Sequence, residues 1–69
     1  MEFKRFGYTF KYFFDADVDE MGHIDIEGYD VYNETGKLIA EIQFITEREI
    51  MEMSESELEE VIDDNLVHF

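Results

Sequence analysis

The sequence predicts an α+β fold, an antiparallel three-stranded (or four-stranded) β-meander with one C-terminal α-helix packed on one face (β-β-β-α). Three observations predict it. Residues 2–14 and 37–45 alternate with period two, the pattern of half-buried strands. Asn33-Glu34-Thr35-Gly36 is a short turn between apolar runs. From Ser54 onward the apolar period becomes that of a helix.

Residues 2–14 read as one long strand. Phe6, Tyr8, Phe10, Tyr12 and Phe14 share one parity and form the expected core face, with Arg5, Gly7, Thr9 and Lys11 on the other. Asp15 to Gly22 reads as an acidic turn region. Residues 23–32 alternate again, Ile24 and Ile26 against His23, Asp25 and Glu27. Beyond Gly28 the large residues Tyr29, Val31 and Tyr32 fall out of phase, which a β-bulge at Gly28 would explain. Gly36 suits the left-handed position that closes a hairpin turn, and residues 37–45 then place Leu38, Ala40, Ile42 and Phe44 inward. Residues 46–53 allow two readings, a helical turn opened by Thr46 to Glu49 or an extended stretch from Ile50 to Met53. Ser54 is a good N-cap, Glu57 completes a capping box, and Met53 with Leu58 forms a hydrophobic staple. Leu58, Val61, Ile62, Asn65, Leu66 and Phe69 follow at helical spacing, which sets the helix at about 55–67.

The chain has 69 residues and no cysteine. It is a single domain, 1–69, whose core no disulfide supplements. The absence of thiols and of a leader-like segment fits the cytoplasm, that of a host cell if a phage encodes the protein. No apolar run approaches the ~18 residues that span a bilayer. Nineteen acids oppose five bases, a net charge of −14, yet 45% of residues are hydrophobic and eleven are Phe or Tyr. That apolar content argues for folding where charge alone would argue for disorder. The acids come in two blocks, eight over residues 15–34 and nine over 47–69, each interleaved with apolar residues. They therefore belong to folded elements and not to a disordered tail.

Catalytic parts are scarce. The only serines are Ser54 and Ser56 at the helix start, and His23 and His68 stand apart without a neighbouring motif. Four scattered glycines make no phosphate loop. The expectation is a protein that is not an enzyme and needs no cofactor. Residues 17–28 partly match a twelve-residue calcium loop, with Asp17, Asp19 and Asp25 at the first, third and ninth positions and Gly22 at the sixth. Met21 and Gly28 occupy positions where oxygen ligands are needed, and the flanks read as strands. Asp15, Asp17 and Asp19 remain weak candidates for a divalent cation, and an acidic hairpin connection is the simpler reading. Lys4, Arg5 and Lys11 beside the aromatic strand do not make a nucleic-acid platform, because phosphate binding needs a positive field.

The acids themselves carry the functional reading. A net charge of magnitude about two to eight is enough for solubility. On the helix, Glu55, Glu59 and Asp63 fall at i, i+4 and i+8, with Glu60 and Asp64 in a parallel row. Four residues of helix rise about 6 Å. That matches the roughly 6–7 Å between successive phosphates on a strand whose axial rise is about 3.4 Å. In size, charge and the acid rows at 55–64 and 15–30, the chain resembles the small acidic DNA mimics of phages and mobile elements: anti-CRISPR proteins, anti-restriction proteins and uracil-DNA glycosylase inhibitors. Ser54-Glu55-Ser56-Glu57-Leu58 resembles the Glu-Ser-apolar motif of the glycosylase inhibitors, and the capping box already accounts for it. Members of this class differ in fold, so no family residue is carried over.

The resemblance implies a protein that inhibits a DNA- or RNA-binding protein by filling its basic groove. Asp17, Asp19, Glu20, Asp25 and Glu27 would form one binding patch, and Glu55, Glu59, Glu60, Asp63 and Asp64 the other. The expected partner is a basic nucleic-acid-binding protein, with no direct contact to nucleic acid or membrane. A free sheet edge near Tyr8 to Phe14 would also offer a second copy a place to pair as a homodimer. The alternatives are an antitoxin or immunity-type partner of a basic toxin, a structural interaction module, and a weak calcium binder.

Overall fold

A two-residue turn at Phe6-Gly7 divides the N-terminal aromatic run into two strands, β1 (Glu2–Arg5) and β2 (Tyr8–Asp19), in the computed structural model. The structure describes residues 2–19 and 22–67, and at 16–19, 23 and 24 the backbone alone. Phe6 has φ 52° and Gly7 φ 83°, the two positive values that a type I′ hairpin requires. The last pair before the turn is Arg5 with Tyr8, and Phe3 stands opposite Phe10. The single strand expected over 2–14 is therefore a hairpin, and Phe6 lies exposed in its turn instead of on the core face. Arg5 holds the turn in place: its guanidinium lies 4.3 Å from the Phe6 ring centroid, and Nη2 donates to the Met53 carbonyl at 2.9 Å.

β3 (Gly22–Tyr32) and β4 (Leu38–Gln43) complete a four-stranded antiparallel meander in the order β1-β2-β3-β4. The turn between them forms as its residues dictate. The Asn33 side-chain oxygen accepts from the backbone N–H of Thr35 and of Lys37, both at 3.0 Å, and Gly36 has φ 84°. Two short helices follow, α1 (Glu47–Glu52) and α2 (Glu55–Asp64), in place of the one expected. Thr46 caps α1 by accepting from the Glu49 N–H at 3.2 Å, and Ser54 caps α2 by accepting from the Glu57 N–H at 3.2 Å. The core lies between the helices and one face of the sheet. Ile50, Leu58 and Ile62 meet Phe10, Tyr29, Val31, Ala40 and Ile42 there, with Ile45 beside them. Burial of each such Leu, Ile or Phe contributes roughly 1.5–3 kcal/mol. Phe3 adds a stacked contact on Phe10, ring centroids 5.2 Å apart.

Four expectations change from β3 to the segment after α2. The bulge falls between Val31 and Tyr32 and not at Gly28; Leu38 stands opposite Tyr32, and Ile39 packs against the core in its place. Gly28 sits in register between Phe13 and Gln43, buried, where a Cβ would land on the Ile42 carbonyl oxygen. The chain crosses tightly at this point, since the Phe44 N–H donates to the Glu27 carbonyl at 2.6 Å. Phe44, expected inward, takes φ 59° and is 67% exposed, and Ile45 is buried after it. The last helix ends at Asp64, short of 67, and Asn65 caps it. The chain after it bridges to β4 through Leu66 opposite Ala40, with Glu41 N–H donating to the Asn65 carbonyl at 3.2 Å and Val67 N–H to the Ile39 carbonyl at 3.0 Å. That segment covers the outer edge of β4. His68 and Phe69 lie outside the described residues. Among the described residues no helix is long and apolar enough to cross a membrane.

Candidate partner-binding surface

α2 turns Leu58 and Ile62 into the core and leaves Glu55, Glu59, Glu60, Asp63 and Asp64 exposed. The two acid rows are thus continuous along the solvent side of one helix. Among the described residues the ion pairs are Lys11 with Glu2 at 3.5 Å and Arg48 with Glu52 at 3.1 Å, so none reaches these five carboxylates. Asp63 and Asp64 occupy the last turn, which contains no base. Helix carbonyls give that end a negative partial charge, and an acid there is unfavourable by about 0.3–1 kcal/mol.

The meander brings a further acid and two aromatics to this helix. The Phe6-Gly7 turn, the 33–35 turn and the start of α2 enclose an open cleft of about 400 Å³. Phe6, Tyr8, Glu34, Glu55 and Glu59 line it. Burial first, then the carboxylates of Glu59, Asp63, Glu55 and Glu34, push the Tyr8 phenol above the usual tyrosine value. Glu34, Glu55 and Glu59 thus share one cleft with the Tyr8 ring. Tyr8 stays protonated and can donate a hydrogen bond, the carboxylates accept, and Phe6 offers a flat apolar wall. Such a cleft suits a guanidinium or ammonium side chain. Phe6, Tyr8 and Glu34 were not among the expected site residues, and no local pattern marks them, because only the sheet order brings the two turns to α2.

Asp17, Asp19, Asp25 and Glu27, expected in the other patch, lie on a two-stranded ribbon. β1 stops opposite Lys11 and β4 stops opposite Gly28, so β2 and β3 continue past both neighbours from Phe13 to Asp19 and from Gly22 to Glu27. The expected turn region at 15–22 is thus largely strand. In the register Asp15 and Asp17 stand opposite Ile26 and Ile24, while Glu27 and Asp25 stand opposite Phe14 and Ala16. Alternate positions of a strand belong to opposite faces. Asp17 and Asp19 therefore share one face of the ribbon with Asp15, and Asp25 and Glu27 share the other. Glu20 lies outside the described residues. The calcium-loop stretch 17–28 runs through both extended strands, and the side chains of Asp17 and Asp19, which it would need, lie outside what the structure describes. Glu27 is tied to the sheet by the Tyr12 hydroxyl, which donates to its Oε2 at 2.8 Å, and this bond raises the Tyr12 phenol above its usual value.

On the uncovered face of the sheet Glu2, Lys11, Asp30 and Glu41 stand in one cross-strand row. Lys11 pairs with Glu2 and lies 5.0 Å from the Tyr32 ring centroid. Burial, then Glu41, raises the Asp30 carboxyl above the usual aspartate value.

The fold and surface define a small acidic α+β domain with carboxylates ordered along one helix. Comparison of the chain with protein-family models, curated proteins and solved structures found no match.

Proposed function

We propose that this protein is a nucleic-acid mimic, a binding protein that inhibits a DNA- or RNA-binding protein by occupying its basic groove. One observation carries the reading: α2 holds an exposed double row of carboxylates, free of basic partners among the described residues, that continues into its last turn against the helix dipole. Acids held where they weaken the free protein support a binding role, since residues that break a local rule are expected at functional sites. The Glu55–Glu59–Asp63 row takes the place of successive phosphates. The cleft at its N-terminal end receives one Lys or Arg of the groove between Glu34, Glu59 and the Phe6 ring. Each exposed ion pair contributes about 0–1 kcal/mol, so affinity comes from the whole row. Long-range attraction speeds association and makes it sensitive to salt.

The test uses the immobilised protein and lysate of candidate host cells, eluted with a salt gradient, with duplex DNA added in a parallel elution. The expected result is a nucleic-acid-binding protein released by moderate salt and displaced by DNA. Charge reversal at Glu59 and Asp63 should weaken its capture far more than reversal at Glu2. Equal effects at all three positions, or a partner that resists salt, would overturn the reading.

A further inference from the structure

We infer that the outer edge of β2, from Phe13 to Asp19, accepts an extended segment of a basic partner protein as an added strand, with Lys or Arg alternating with apolar residues in that segment. The inference rests on the proposed function only in taking the partner to be basic; the element and the mode of binding are different.

Hydrogen bonding fixes which backbone groups are free. The Glu27 carbonyl points toward β4, because it accepts from the Phe44 N–H. Successive residues of a strand point their N–H and C=O to opposite sides. Ile26 and Ile24 therefore face β2 and bond with their register partners Asp15 and Asp17. It follows that Phe14, Ala16 and Val18 direct their N–H and C=O away from β3. β1 reaches only to Lys11 on that side, so among the described residues no strand lies alongside them. The part of this edge expected to be free at Tyr8 to Lys11 is covered by β1. What remains open is long enough for an ordinary strand of about five or six residues.

Charge decides the occupant. The edge reads Phe14-Asp15-Ala16-Asp17-Val18-Asp19, acid and apolar in strict alternation. Two copies pairing antiparallel along it would bond even positions to even positions. Odd positions would then oppose odd positions, aspartate against aspartate, which is destabilising. A chain of net charge −14 adds to that repulsion. A foreign strand with bases at alternate positions turns each of these contacts into an opposite-charge pair. Its intervening apolar residues fall beside Phe14, which is 56% exposed. Main-chain bonds give such β-addition its affinity, and the alternating side chains give its specificity.

The probe is a short fluorescent peptide of alternating Lys and Val, titrated by anisotropy and by amide hydrogen exchange. Its controls are a peptide of the same composition with the Lys residues in one block, and the alternating peptide N-methylated on its bonding edge. The alternating peptide should bind about tenfold or more tightly than either control, the equivalent of one or two hydrogen bonds. The Phe14, Ala16 and Val18 amides should gain protection. Ala16→Pro should abolish binding and leave the circular dichroism unchanged, because that N–H serves no bond to β3. The paired variant Glu59→Lys with Asp63→Lys should still bind the peptide, which separates this site from the α2 surface. Equal binding of all three peptides, or protection confined to α2, would overturn the inference. A dimer of the free protein that Ala16→Pro dissociates would overturn the choice of occupant.

Discussion

Replacing Asp63 by Asn removes one charge from the last turn of α2 and nothing from its packing. Asp63 is exposed, it has no basic partner among the described residues, and the core contacts of that helix come from Leu58 and Ile62. Asp and Asn have similar helix propensity, so the backbone preference barely changes. Two electrostatic effects remain. The carboxylate opposes the dipole at a helix C-terminus, a cost of about 0.3–1 kcal/mol at low salt. It also lies at i+4 from Glu59 and i+3 from Glu60, and each like-charge neighbour costs a further ~0.2–0.5 kcal/mol. The substitution should therefore stabilise the free protein by about 0.7–2 kcal/mol at low ionic strength. In a domain of this size each kcal/mol raises Tm by roughly 4–8 °C. Thermal unfolding followed by circular dichroism, at low and at molar salt, measures it. The gain should shrink at molar salt, where the screening length falls to about 3 Å. An unchanged or lower Tm at low salt, or a gain indifferent to salt, would refute the view that this acid is held against the stability of the fold.

Asp30→Asn tests the uncovered face of the sheet. A carboxyl raised in the folded state binds its proton more tightly there than in the unfolded chain, so its ionised form subtracts stability at neutral pH. That loss is relieved as pH falls through the raised folded value toward the unfolded value of about 3.9. Asn should thus stabilise the protein at neutral pH, where burial and then Glu41 disfavour the ionised carboxyl, and change nothing near pH 3, as read from urea unfolding at each pH. Gly28→Ala should cost about 1–3 kcal/mol or more in the same assay, because the new Cβ meets the Ile42 backbone, which no rotamer can move aside. Ser54→Ala and Thr46→Ala should each cost about 0.5–2 kcal/mol through the loss of an N-cap, with helical ellipticity falling in step.

The parts of the fold that local chemistry determines were legible in the sequence. Ser54 and Glu57 form the expected cap, and the acid rows of α2 follow from its spacing alone. The Asn33–Gly36 turn forms where its residues place it. The first hairpin was hidden because its turn is Phe-Gly, where Asn-Gly is the usual signal, and because the even-numbered aromatics from Phe6 to Phe14 alternate without a break, although Phe3, at an odd position, shares their face across the turn. Gly7 was the available clue. Asp15 to Asp19 read as a turn because aspartate is depleted in strands. Its strict alternation with Phe14, Ala16 and Val18 carried the opposite message. The change of phase beyond Gly28 comes from the bulge between Val31 and Tyr32, whereas Gly28 itself answers to the close approach of the Ile42 and Gln43 backbone, which leaves little room for a Cβ. The cleft beside α2 was beyond local reading for the same reason, since Glu34 and Tyr8 meet Glu55 and Glu59 only through the order of the strands.

The sheet keeps the chain's two acidic blocks from acting as one. Had β2 and β3 ended level with β1 and β4, the acids of 15–27 would have formed a rim close to the helices. Instead pairing with β4 ends at Gly28, β2 and β3 continue as a ribbon, and the register divides its acids between two faces. Along β2 the ribbon alternates acid with apolar residue from Phe14 to Asp19, beside an edge whose backbone groups are open. α2 carries its two acid rows on the solvent side, with Leu58 and Ile62 turned inward. In the function we propose, α2 and the cleft at its start imitate nucleic acid, and the ribbon, with its open edge and alternating residues, pairs with backbone.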